Sequence, residues 1–108
     1  MPGSTKQFDR WETLLREFLQ GNTLDLRNKQ LTDISQRIFT YRQIQVLDLS
    51  DNSGLVNLPN EIDQLKNLRT LRLNNIGASE LPLGLLKLGE LDTLELNKNK
   101  FTEFFKQV

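Results

Sequence analysis

The sequence predicts an α/β solenoid, right-handed and curved, in which about four short parallel strands stack side by side behind an N-terminal capping helix. Three observations carry this reading. A leucine–any residue–leucine triplet recurs at almost constant spacing. Proline stands at the same place in two of the recurring units. An apolar stripe with helical spacing precedes the first triplet.

The triplets are LDL at 24–26, LDL at 47–49, LRL at 71–73 and LEL at 94–96, separated by 23, 24 and 23 residues. Alternate residues of a strand point to opposite faces, so the paired leucines turn inward and the residue between them turns out. Further columns keep the same register: Ile44, Leu68 and Leu91 before the triplet, then Leu31, Leu55 and Ala78 after it. Ile34, Leu58 and Leu81 follow, and then Ile38, Ile62 and Leu85. A unit this short cannot bury its own leucines, so each must stack on its neighbours. Proline directly after Leu58 and Leu81 disfavours regular helix at those points and favours a turn. In DNSGL the unit carries one extra residue, and Gly54 is expected to relax the turn there.

On these residues the sequence resembles the leucine-rich repeat family, over 21–108. LDTLELNKNKF, 91–101, matches the family pattern L-x-x-L-x-L-x-x-N-x-L most fully, and LPNEIDQLKNL is similar to the convex half of short bacterial-type repeats. The resemblance implies a leucine-rich repeat solenoid whose concave sheet face binds protein partners. It also implies an asparagine column that hydrogen-bonds the loop backbone. Here that column reads Lys29, Asn52, Ile76, Asn99, with asparagine in alternate repeats.

Two segments follow from this: residues 1–20 as an amphipathic capping helix and 21–108 as about four repeats, the last incomplete. In the first segment Phe8, Trp11, Leu15, Phe18 and Leu19 form one helical stripe that seals the first repeat. Ser4 with Gln7 reads as a capping box and Gly21 as the helix C-cap. At the other end the last strand is expected to be an open edge, beside Phe101, Phe104, Phe105 and Val108.

Composition narrows the function. The 14 basic and 14 acidic side chains balance, so no global field draws the chain onto nucleic acid or an anionic membrane. Histidine and cysteine are both missing, which removes the commonest general base, the commonest zinc ligand and any thiolate site. No nucleotide-binding, P-loop, zinc-protease or serine-hydrolase motif occurs. The glycine in DLSDNSG is misplaced for a calcium loop. The expectation is therefore a cytoplasmic, non-catalytic interaction module that needs no cofactor or metal and binds neither nucleic acid nor membrane.

Two surfaces are candidates for a partner. The outward strand positions gather Asp25, Arg27, Asp48, Ser50, Arg72, Asn74, Glu95 and Asn97 on the sheet face. They read either as a protein-binding surface or as a solvated charge ladder with Arg72 between Asp48 and Glu95. Leu83 and Leu86 fall outside the repeat columns and read either as an interface or as packing between convex segments. Together with Phe101, Phe104, Phe105 and Val108 they define the alternative function, self-association into a homodimer or larger assembly through the C-terminal edge.

Overall fold

The computed structural model describes residues 9–100. Phe8, Ser4 and Gln7, and likewise Phe101, Phe104, Phe105 and Val108, lie outside these residues. One α-helix and five strands are described: α1 Arg10–Phe18, β1 Leu19–Gln20, β2 Thr23–Asp25, β3 Val46–Asp48, β4 Thr70–Arg72 and β5 Thr93–Glu95. They form one sheet in chain order, with β2 to β5 parallel and β1 antiparallel to β2. The register places Asp25, Asp48, Arg72 and Glu95 side by side across the four parallel strands. Each chain return runs through a short 3₁₀ helix, at Gln36–Thr40, Asn60–Gln64 and Leu83–Lys87. Pro59 and Pro82 are the N-caps of the last two, in extended conformation, which is where proline is best tolerated.

The repeat columns are the core. Leu24, Leu26, Leu47, Leu49, Leu71 and Leu73 are all fully buried, as are Ile44, Leu55, Leu65 and Leu68. Burying each such side chain contributes roughly 1.5–3 kcal/mol relative to leaving it in water. Phe39 also enters the core, although its repeat counterparts Asp63 and Leu86 do not. At the open end the pattern weakens: Leu91, Leu94 and Leu96 are only partly buried, and β5 is the sheet edge among the described residues.

Repeats two and three approach closely. A Cβ on Gly84 would overlap the backbone oxygen of Asn60. Any side chain there would push the two 3₁₀ helices apart.

The N-terminal seal differs in detail from expectation. The described helix begins at Arg10, with Asp9 as N-cap: its carboxylate accepts the Glu12 N–H at 2.9 Å. The inward stripe includes Leu14, buried with Leu15, while Trp11, Phe18 and Leu19 are half-buried against the core. Gly21 is not the helix C-cap. Leu19 holds that position in extended conformation, and the chain leaves the helix early to pair Leu19–Gln20 with β2. Gly21 instead opens the two-residue turn of this hairpin at φ 62, a region that costs glycine little. The antiparallel β1 thereby covers what would have been the first open edge of the sheet.

The turn after each strand also departs from expectation. A left-handed residue recurs at Asn28, Asp51, Asn75 and Lys98, each two places after the triplet. The longer DNSGL turn bends at Asp51, and Gly54 does not have positive φ.

Asn52 is 1% exposed and makes five hydrogen bonds among the described residues. Its Oδ1 accepts the backbone N–H groups of Lys29 and Leu31, both at 3.0 Å. Its Nδ2 donates toward the carbonyls of Leu26, Leu49 and Ser50 at 2.8–3.1 Å. Asn99 repeats the arrangement on Ile76 N–H and the Leu73 carbonyl. Each asparagine thus satisfies the loop of the preceding repeat. Asn52→Ala strands several buried backbone groups, each worth roughly 1–3 kcal/mol. Urea unfolding should show a loss of about 3 kcal/mol or more for this variant; a loss below about 1 kcal/mol would show that water or rearrangement replaces the amide.

Candidate functional site

Strand pleating sends the middle residue of each triplet away from the core, and the sheet face these residues form is hollow. Side chains from all four parallel strands line one cleft of about 420 Å³. Its walls include Asp25, Arg27, Asp48, Ser50, Arg72, Asn74 and Glu95, seven of the eight concave positions expected from the sequence. Thr23, Val46 and Asp51 complete it. Asn97 is not part of the lining; it is exposed and donates its backbone N–H to Asn74 Oδ1 at 2.8 Å.

The charges divide into two groups. In the first, Arg27 grips Asp25 with two parallel bonds, Nε to Oδ1 and Nη2 to Oδ2, both 2.9 Å. Arg27 Nε also lies 3.6 Å from Asp48 Oδ2. One guanidinium therefore stands between the two neighbouring aspartates and offsets their repulsion. In the second group, Arg72 Nε donates to Glu95 Oε2 at 3.1 Å and Asn74 Nδ2 donates to Glu95 Oε1 at 2.9 Å. The expected alternation of Asp48, Arg72 and Glu95 is thus only half realised: Arg72 pairs with Glu95, while Asp48 faces Arg27.

The floor is more buried than the rim. Asp48 is 6% exposed and Ser50 4%. Asp48 Oδ1 accepts the Ser50 N–H at 3.0 Å, and the Ser50 hydroxyl accepts the Asn74 N–H at 3.1 Å. Each repeat thereby positions polar groups of the next. Asp48, Ser50 and Asn52, which alternate in sequence like ion ligands, do not converge: Asn52 spends its amide on the backbone beneath.

The second surface behaves differently. Leu83 and Leu86 are 62% and 71% exposed, so they do not pack between convex segments. Val56, exposed at 54%, and Leu83 both line a separate hollow of about 480 Å³ between repeats two and three. Val56 falls outside the repeat columns because it follows a column leucine, Leu55, in a turn with no fixed periodicity.

The chain belongs to the leucine-rich repeat family. The family profile described as leucine rich repeat matches residues 22–76, just over half of the chain. A probable disease resistance protein of Arabidopsis thaliana is 41% identical over 75 residues, 68% of this chain and 10% of that protein. Human leucine-rich repeats and immunoglobulin-like domains protein 3 is 37% identical over 87 residues, 80% of this chain and 8% of that protein. The chain therefore spans about a tenth of the length of the curated relatives it matches. A solved leucine-rich repeat protein of Leptospira interrogans aligns over 88% of this chain and 36% of its own, at 23% identity and a TM-score of 0.41.

Two carboxyls of the cleft sit below their ordinary range. Glu95 is lowered first by the Asn74 hydrogen bond and then by Arg72, and Asp25 first by Arg27. A depressed carboxyl stabilises the fold above its unfolded value, and that contribution disappears as pH falls through the folded value. Thermal melts should therefore be flat from neutrality down to about pH 5. They should fall below the unperturbed values of 4.5 for glutamate and 3.8 for aspartate. Glu95→Gln and Asp25→Asn should each flatten part of that decline, and an unchanged decline in both variants would remove the cleft from the acid sensitivity.

Proposed function

We propose that this chain is a non-catalytic protein-interaction module that holds a protein partner against its concave sheet face. Membership of the leucine-rich repeat family supports interaction as the general role. The observation that carries the specific reading is the cleft itself. Four successive strands contribute to it, its floor is held by backbone hydrogen bonds, and its charged tips remain open to solvent. Such a surface is preorganised, so a partner need not order it on binding. A cytoplasmic location, expected from the sequence, belongs to the same proposal.

Arg72 and Glu95 allow a test that spares the fold, because both side chains are more than a third exposed. The exchange Arg72→Glu with Glu95→Arg keeps an ion pair and the net charge but inverts the pattern. Proteins captured by the unmodified chain should be lost from the exchanged variant, with a melting temperature lowered by no more than a few degrees. If capture survives the exchange but fails in Leu83→Glu/Leu86→Glu, the binding surface is the convex flank and the concave reading is wrong.

A second reading, self-association, is favoured by one feature. Leu91, Leu94 and Leu96 are only partly buried, whereas their counterparts in repeats two and three are fully buried, and they flank the β5 edge. Light scattering coupled to size-exclusion chromatography should then show mass rising with concentration. Replacing the exposed Thr93 with lysine, an edge-strand charge that opposes pairing with a second copy, should hold the chain monomeric. A monomer at every concentration ends this reading.

A further inference from the structure

The chain as a whole is neutral, yet its concave cleft is not. Four carboxylates line it, Asp25, Asp48, Asp51 and Glu95, against two guanidinium groups, Arg27 and Arg72. The surplus negative charge is gathered on this hollow, open face.

Asp48 shows where a ligand group would go. Its side chain is 9% exposed, so it is among the most buried charged groups described. Oδ1 is satisfied by the Ser50 N–H. Oδ2 has only the Arg27 Nε at 3.6 Å, beyond hydrogen-bonding distance, because Arg27 directs its short bonds to Asp25. Among the described residues this oxygen has no hydrogen-bond donor, although it lies in the wall of the cleft. The oxygen opens onto the cleft from a largely buried side chain, and a carboxylate oxygen so placed gains from a charged donor. Arg27 cannot supply one without loosening its two-bond grip on Asp25.

We propose that the concave cleft receives a basic side chain, arginine or lysine, from a protein partner, with its cationic head donating to Asp48 Oδ2. This rests on the concave-face reading above and specifies the partner's chemistry. Other ligand classes fit less well. A divalent cation needs several converging carboxylates, whereas here Arg27 and Arg72 stand among them, and no such cluster occurs in the described residues. A nucleic acid would bring phosphates to a face already in negative surplus. An apolar helix would bury the Asp48 and Ser50 floor without pairing it.

Three capped pentapeptides of glycine alternating with arginine, glutamate or glutamine serve as probes, titrated into the isotope-labelled chain at low salt. The arginine peptide should shift the backbone amides of Asp48, Ser50, Arg72 and Asn74 with saturation. The glutamate peptide should bind at least about tenfold more weakly. Asp48→Asn, close to the original in shape, should weaken the arginine peptide severalfold. Arg72→Gln should tighten it, an outcome that mere structural damage does not produce. Equal response to the acidic peptide, shifts spread over other surfaces, no binding, or indifference to both substitutions would each overturn the proposal. If the proposal fails while the Arg72/Glu95 exchange still releases captured proteins, the concave face is used by a partner of other chemistry. If both fail, the concave-face reading falls with it.

Discussion

The first three repeats of this chain depend on their successors to satisfy the backbone of their turns. After each strand the chain turns sharply, and the turn leaves N–H and C=O groups facing the interior, where water does not reach. The next repeat supplies their partners. Leu26 N–H and Asn28 N–H bond to the carbonyls of Asp48 and Ser50, Leu49 and Asp51 to those of Arg72 and Asn74, and Leu73 and Asn75 to those of Glu95 and Asn97. Asn52 and Asn99 extend the same dependence through a side chain. Stability therefore lives in the interfaces between repeats as much as within them, the nearest-neighbour regime of solenoids.

This dependence explains why asparagine in alternate repeats is enough. Asn52 serves the turn of repeat one and Asn99 that of repeat three, so the two repeats without it are the ones being served. Between repeats two and three Ile76 occupies the column. It is buried in the core and bridges Asn52 through its backbone, while Gly77 N–H bonds to the Leu55 carbonyl. An apolar side chain is tolerated there because main-chain bonds take over the turn. The local geometry is kept by the left-handed residues Asn28, Asp51, Asn75 and Lys98. Asparagine and aspartate tolerate that region better than most residues do.

Much of this was legible from residue order alone, and the reason is periodicity. The triplet leucines, the strand register and the cleft residues follow from a repeat of 23 or 24 residues combined with the two-residue alternation of a strand. Whatever lacked a repeating counterpart was harder to read. The β1 hairpin occurs once, at the sheet's end, where Gly21 fits a helix C-cap and a turn equally well. Phe39 is buried beside a column whose other members are surface residues. Leu14 fits the same helical stripe as Leu15 and was hidden behind the aromatics. In the cleft, register gave the neighbours correctly, but rotamers chose the pairs. Arg27, one pleat along from Asp25, reaches back to its own strand and also draws Asp48, so Arg72, placed by strand position between Asp48 and Glu95, pairs with Glu95 alone.

The same coupling that holds the core shapes the face above it. Ser50 is fixed below by its N–H bond to Asp48 and above by the Asn74 N–H it accepts, so repeats two and three share one polar floor. Asn74 in turn orients Glu95 and receives the Asn97 N–H, which carries the chain of bonds into repeat four. A partner that touches any one of these groups meets an array whose spacing is set by the strand separation, about 4.8 Å per repeat. The cleft cannot adjust one position without disturbing the next. For the proposed partner face, selectivity would come from the pattern of charge on this ladder, set by four residues in one row, Asp25, Asp48, Arg72 and Glu95, with Arg27 deciding how much of the acidic pair stays open.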